Sequence, residues 1–244
     1  MADFLLATAV LTRLPVGVAA PGDGGVAGAC WAFPLVGAGV GFIAGVVFLA
    51  FGLVGLGALP AALLAVLAGL AATGALHEDG LADTADGFGG GRERAAKLAI
   101  MRDSRVGTYG VAALVFSIGL RAAALSAIRD PIHAGLALIA AHAASRGFLA
   151  PAMWRLPPAR EDGLGAAAGR PSRTVALVAL AIGALVAASC LGPLHGIVAL
   201  VVAGGAVAAT AALARRQIGG YTGDVLGALQ QIGEIVMLLA AAAP

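Results

Sequence analysis

Four of the chain's 13 acidic side chains fall within ten positions, in the run His77-Glu78-Asp79-Gly80-Leu81-Ala82-Asp83-Thr84-Ala85-Asp86-Gly87. If this run is helical, Asp79, Asp83 and Asp86 stand at i, i+4 and i+7 and project from one face within about 60° of each other. Carboxylates so placed repel one another unless a cation sits between them, and hard oxygen donors suit Mg²⁺ or Mn²⁺. The three aspartates are therefore the candidate metal ligands and the candidate catalytic groups. Gly80 and Gly87 remove side chains beside them, so a bulky phosphate-bearing ligand or a second helix can come close. Glu78 belongs to the same candidate site, while His77 reads equally well as a polar cap to the preceding apolar run.

Further along, Arg102-Asp103-Ser104-Arg105-Val106-Gly107-Thr108-Tyr109-Gly110 sets two guanidinium groups and hydroxyls beside a glycine-flanked helix start, a combination able to bind a diphosphate. Gly219-Gly220-Tyr221-Thr222-Gly223-Asp224 offers backbone N–H groups and a fourth carboxylate. Gln230, Gln231 and Glu234 follow inside an otherwise lipid-compatible run, so that helix has a wet or paired side. Arg121 and Arg146 also lie within apolar segments. A lone charge there costs at least roughly 2.5 to 3.5 kcal/mol, so each needs a partner. Counting inward, Arg146 lies about 12 Å deep and Arg121 and Glu234 about 15 to 18 Å, so Glu234 can balance one arginine. The other, with His142 and Ser145 nearby, would give a bound anion its floor.

The elements that position these groups are set by composition. Of 244 residues 60% are hydrophobic and only 11% charged, too few to cover a water-soluble globule. The 37 glycines and 5% aromatics suit closely packed helices rather than a barrel. The expected fold is an all-α polytopic membrane bundle of six to seven spans, a single domain, with spans near 33–56, 60–77, 108–128, 132–154, 174–191, 195–214 and 225–243. The segment from Phe4 to Val18 is expected to lie against the membrane face or to dip in and return, and the acidic start at Asp3 argues against a cleaved leader. Gly37, Gly41 and Gly45 form a stripe for helix packing. Cys30 and Cys190 read as small lipid-buried residues. A net charge of +2 gives no case for nucleic acid.

Alternating the spans puts the breaks at 13–30, 78–107, 155–173 and 215–224 on one side, with Arg13, Arg92, Arg94, Lys97, Arg102, Arg105, Arg155, Arg160, Arg170, Arg173, Arg215 and Arg216. Only Arg129 falls in the opposite loops, so the charged side is the cytoplasmic one. The segment from Arg92 to Met101 reads as a short amphipathic helix with its basic side along anionic headgroups.

The acidic run, the Ile100-Met101-Arg102-Asp103-Ser104-Arg105 segment with its Tyr109-Gly110, and the terminal Gly219-to-Glu234 pattern together resemble the cobalamin synthase family of adenosylcobinamide-GDP ribazoletransferases. The likeness extends to Thr12-Arg13-Leu14-Pro15-Val16-Gly17 and to Trp31–Gly37, and so covers most of the chain. It implies a Mg²⁺-dependent enzyme of the bacterial cytoplasmic (inner) membrane that joins GDP-activated adenosylcobinamide to α-ribazole or its 5′-phosphate and releases GMP. On that reading Asp79, Asp83 and Asp86 hold the metal, and Asp86 takes the proton of the ribazole 5′-hydroxyl. Glu78, Gly80, Gly87, Arg102, Asp103, Arg105, Tyr109, Arg121, Arg146, Gly220, Thr222, Asp224, Gln231 and Glu234 surround the substrates. Self-association is left open. The rival readings are a CDP-alcohol phosphotransferase, whose Ala-Arg after the first Asp-Gly this chain lacks, and an ion or metabolite transporter. A transport site belongs near the midplane rather than at a surface.

Overall fold

A computed structural model, describing residues 1–17 and 24–243, is helical almost throughout. In chain order the helices are α1 (Ala2–Leu11), α2 (Gly25–Ala29), α3 (Phe33–Leu53), α4 (Ala58–Thr73), α5 (Leu76–Gly90), α6 (Arg94–Ile100) and α7 (Thr108–Ala127). There follow α8 (Pro131–Gly147), α9 (Leu149–Arg155), α10 (Leu164–Ala167), α11 (Arg173–Leu191), α12 (Pro193–Ile218) and α13 (Gly223–Ala242). A 3₁₀ turn at Cys30–Ala32 joins α2 to α3. Among the described residues there is no strand, only one isolated bridge between Pro158 and Tyr221.

Local chemistry explains the helix ends. Asp130 accepts a hydrogen bond from the Ile132 N–H at 2.8 Å and Pro131 opens α8, where its missing N–H is no loss. Ser172 caps α11 and Thr222 caps α13 in the same way. Gly219, at φ 86°, ends α12 in the left-handed conformation that a Cβ disfavours.

Six helical segments are long and apolar enough to cross a membrane: Gly25–Leu53, Thr108–Ala127, Pro131–Arg155, Arg173–Leu191, Pro193–Ile218 and Gly223–Ala242. With α4 and α5 taken as one bent span the number is seven, in agreement with the sequence expectation. Bulky apolar side chains such as Phe42, Val115, Phe116, Leu185 and Val201 stand exposed on the outside of the bundle, as helices solvated by lipid require. Inside, Gly37 and Gly41 let α3 lie on the α8 backbone so closely that a Cβ at either would meet the carbonyl oxygen of His142 at 2.2 Å or of Leu138 at 2.6 Å. Cys30 and Cys190 are free thiols.

The second span departs from expectation. The helix does not continue into the acidic run but breaks at Gly74 (φ 65°) and Ala75 (φ 56°), and α5 leaves α4 at 92°. The break is held from the N-terminal segment, where the Arg13 N–H donates to the Ala72 carbonyl at 2.8 Å and the Arg13 side chain lies on Gly74. The N-terminal helix itself stops at Leu11, and Val18 lies outside the described residues. Trp31 Nε1 donates to Asp3 at 3.1 Å and ties α1 to the start of α3.

Three of the four charged loops meet at one end of the bundle. Arg94 donates to the carbonyls of Ile218 and Ala159 at 2.8 and 2.7 Å, Lys97 to Gln217, and Arg102 pairs with Asp162. Arg94 and Lys97 therefore turn inward on the α12 corner and are not laid along headgroups as the amphipathic reading supposed.

Candidate acidic site

Helix α5 runs antiparallel along α7. Glu78 meets Arg121, thirteen residues into α7, whereas Asp86 meets Gly107 and Gly110 at its start. On its other side α5 lies on α13, where a Cβ at Gly80 would sit 2.7 Å from the Asp224 carbonyl oxygen and one at Gly227 3.0 Å from that of His77. At about 100° per residue, Glu78, Ala82 and Asp86 fall within about 80° of one another and form the α7-facing side. Gly80, about 200° round from Glu78, marks the α13-facing side. Asp79 and Asp83 fall between the two, at about 100° and 140°, and open into the seam between α7 and α13.

Asp86 is the exception among the three expected ligands. It is buried, one oxygen accepts the Gly107 N–H at 2.7 Å and the other the Gly110 N–H at 2.9 Å. The anion site at the start of α7 is thus occupied by a carboxylate of the protein itself. The glycines are required there, because a Cβ at Gly107 or Gly110 would stand 2.5 or 2.3 Å from an Asp86 oxygen. Gly87 is needed for a different neighbour, Met101, whose side chain would lie 2.5 Å from a Cβ.

The open carboxylates are Asp79, Asp83 and, across the seam, Asp224. Asp79, Asp224 and Asp86 are acidic neighbours that bear on Asp83, and Arg160 opposes them. Arg160 stands 3.3 Å from Asp224. It entered the sequence reading only as a topological charge, and nothing in its spacing could have shown that the 155–173 loop folds back onto α13. As they stand, no three His, Cys, Asp or Glu side chains among the described residues already form a metal-binding group.

Around this seam the basic stretch is partly committed. Arg105 is exposed and holds Asp103 through a two-pronged pair, which keeps the Asp103 carboxyl low, at about 2. Tyr109 is exposed with its ring on Gly89, where a Cβ would be 2.6 Å away. Two N–H groups of the 219–224 stretch are taken within the protein, Gly219 donating to the Arg215 carbonyl and Tyr221 to that of Pro157, and just beyond it Val225 donates to the Thr222 hydroxyl. Gly220 is where α13's approach passes the Pro157 carbonyl, 2.0 Å from a Cβ placed there.

Deeper in the bundle the remaining expected site residues gather with one another. Arg121 lies 2.9 Å from Glu234 and 3.0 Å from Glu78. Gln231 donates to Glu78 at 3.1 Å and accepts from Ser117 at 2.7 Å, and Gln230 donates to Glu234 at 2.6 Å and to Ser145 at 3.0 Å. Arg146 donates to the His142 ring and carbonyl at 3.0 and 3.1 Å and stands 3.9 Å from Glu234. Glu234 thus takes Arg121 as its close partner, and two glutamates balance two arginines. Glu78, Arg121, Arg146, Gln231 and Glu234 are each 4% exposed or less. Glu78 Oε2, Arg121 Nη2 and Arg146 Nε have no hydrogen-bond partner among the described residues.

These features define an integral-membrane helical bundle with a carboxylate-lined seam at the end where its charged loops meet. The chain belongs to the cobalamin-5-phosphate synthase family, whose family model matches residues 3–242. A Bradyrhizobium diazoefficiens protein named adenosylcobinamide-GDP ribazoletransferase is 52% identical over 244 residues, covering 100% of this chain and 94% of that protein. Relatives with the same name from Mesorhizobium japonicum and Azorhizobium caulinodans are 49% and 45% identical, each over 98% of this chain and 92% and 94% of their own. No solved structure matches.

Proposed function

We propose that this chain is a Mg²⁺-dependent transferase that joins a GDP-activated adenosylcobinamide to α-ribazole or its 5′-phosphate at the cytoplasmic face of a bacterial inner membrane. The observation that carries the reading is that α5, bearing Asp79 and Asp83, packs through Gly80 on the backbone of Asp224 at the start of α13, in a chain whose relatives bear the ribazoletransferase name. Three carboxylates with Arg160 beside Asp224 leave an excess of negative charge that a divalent cation would balance, and oxygen donors of this kind fit Mg²⁺. We therefore assign the metal to Asp79, Asp83 and Asp224, since both oxygens of Asp86 are taken by α7 amides. Bound there, Mg²⁺ would supply a Lewis acid toward the diphosphate oxygens.

In the transfer, a ribazole hydroxyl oxygen attacks the corrinoid-side phosphorus, the bond to the GMP oxygen breaks, and GMP leaves with that electron pair. The hydroxyl proton passes to a carboxylate of the seam. The family description names a 5-phosphate product, so with the phosphorylated substrate the 5′ oxygen is already occupied. The attacking group is then another ribose hydroxyl, not the 5′-hydroxyl of the expectation drawn from the family resemblance. Arg102 and Arg105, exposed and paired with Asp162 and Asp103, would meet phosphate oxygens by exchanging those partners.

Purified protein in liposomes, given Mg²⁺, adenosylcobinamide-GDP and α-ribazole, should release GMP and yield a corrinoid carrying its lower nucleotide. Given CDP-diacylglycerol and an alcohol it should release no CMP. Asp79→Asn, Asp83→Asn and Asp224→Asn should each abolish turnover while leaving folded protein. GMP release that needs no ribazole would mean hydrolysis and end the transferase reading.

A further inference from the structure

The polar cluster beneath the seam is buried, and one of its members sits on the same helix as the open aspartates. Glu78 is next in sequence to Asp79, is 4% exposed, and is gripped through one oxygen by Arg121 at 3.0 Å and Gln231 at 3.1 Å. Arg121 is fixed in turn by Glu234, and Gln231 by the Ser117 hydroxyl. At the far end of the same helical face, Asp86 is gripped by the start of α7. The two anchors are eight residues apart, about 12 Å along the axis.

We infer that Glu78 is a positioning residue: through Arg121 and Gln231 it fixes the roll of α5, so that Asp79 and Asp83 open into the seam opposite Asp224. This rests on the proposed role of that seam. Both anchors lie on the α7-facing side, and the loss of one frees α5 to roll about the other. With side chains reaching about 5 to 6 Å from the helix axis, a roll of about 30° displaces a carboxylate by about 3 Å. A displacement of even 1 Å in a reacting assembly can cost about 100-fold in rate.

The isosteric change Glu78→Gln keeps an oxygen for Arg121 and Gln231, whereas Glu78→Ala removes it. If position is what matters, Glu78→Gln should retain GMP release to within about tenfold and Glu78→Ala should lose about 100-fold or more in kcat with KM little changed. Gln231→Met should give part of the Glu78→Ala loss, and the double variant Glu78→Ala/Gln231→Met should be no worse than Glu78→Ala alone. Geometry is read separately in a protein carrying Asp79→Cys and Asp224→Cys. A short bifunctional thiol-reactive reagent, such as a bis-maleimide to which each thiol adds, should cross-link the pair, readily with Glu78 or Gln at 78 and poorly with Ala. If Glu78→Gln and Glu78→Ala are equally inactive while the cross-link forms equally in both, Glu78 acts through its charge and the inference is overturned. A wild-type chain that releases no GMP while the cross-link follows the residue at 78 would defeat the transferase reading and leave the positioning role standing.

Discussion

Replacing Gly110 by Ala adds a single methyl group where the Asp86 carboxylate lies, 2.3 Å from its Oδ2 and 3.1 Å from the Ala82 carbonyl oxygen. The carboxylate must move, and it leaves behind two backbone N–H groups held at 2.7 and 2.9 Å. Hydrogen bonds to a charged group contribute about 1.5 to 3 kcal/mol each, and overpacking adds about 1 to 3 kcal/mol, with partial relaxation recovering some of the sum. The expected cost of Gly110→Ala is about 3 to 5 kcal/mol, far more than one methyl group on a helix otherwise carries. Gly119, on the same helix with nothing within 4 Å of its Cβ position, is the control, and Gly119→Ala should be neutral or slightly stabilising. The assay is unfolding in detergent by heat or denaturant, repeated in an Asp86→Ala background. There the obstructing oxygen is gone, and Gly110→Ala should cost less than about 1 kcal/mol beyond the background, a non-additivity diagnostic of direct contact. A Gly110→Ala protein as stable as the Gly119→Ala control, or an equal cost with and without Asp86, would refute the assignment of Asp86 to the start of α7.

A double-mutant cycle should find Glu234 coupled more strongly to Arg121 at 2.9 Å than to Arg146 at 3.9 Å. Coupling of about 1 kcal/mol or more is expected for the nearer pair, and equal additivity in both cycles would remove the distinction. Cysteines placed at 92, 160 and 217 should react with impermeant reagents only from the cytoplasm, and those at 58 and 193 only from the other side, because the basic loop residues collect at one end. Labelling of 92 and 160 from opposite sides would overturn the span count.

The bundle itself was legible because a span announces itself by length and apolarity, and the observed helices from α7 onward start and stop within a few residues of the runs read from sequence. The glycine stripe at 37, 41 and 45 likewise met a backbone, that of α8. The bend before α5 was not legible, since Ala75 in a left-handed conformation is not something an alanine signals. Nor was the division of labour among the aspartates. The i, i+4, i+7 spacing places Asp79, Asp83 and Asp86 on one face, but which edge of that face meets α7 depends on the roll of the helix. That roll is set by Arg121 and by two glycines far along the chain. The pairing of Arg121 with Glu234 was legible from depth because the cost of an unpaired charge in lipid leaves few solutions.

The buried charges also set an order of assembly during synthesis. Glu78 and Arg121 belong to α5 and α7, separated in synthesis only by the short α6, so this buried acid and base can neutralise each other early. Arg146 arrives next, in α8, and its countercharge at Glu234 lies in the last helix, 88 positions later. For that interval the nascent chain carries a surplus positive charge at a depth where each costs roughly 2.5 to 3.5 kcal/mol or more. Insertion of α13 removes the surplus and, in the same event, brings Asp224 to Asp79 and Asp83. A chain truncated before α13 therefore lacks both its charge balance and the Asp224 carboxylate of its acidic seam, so one helix completes the fold and the site together.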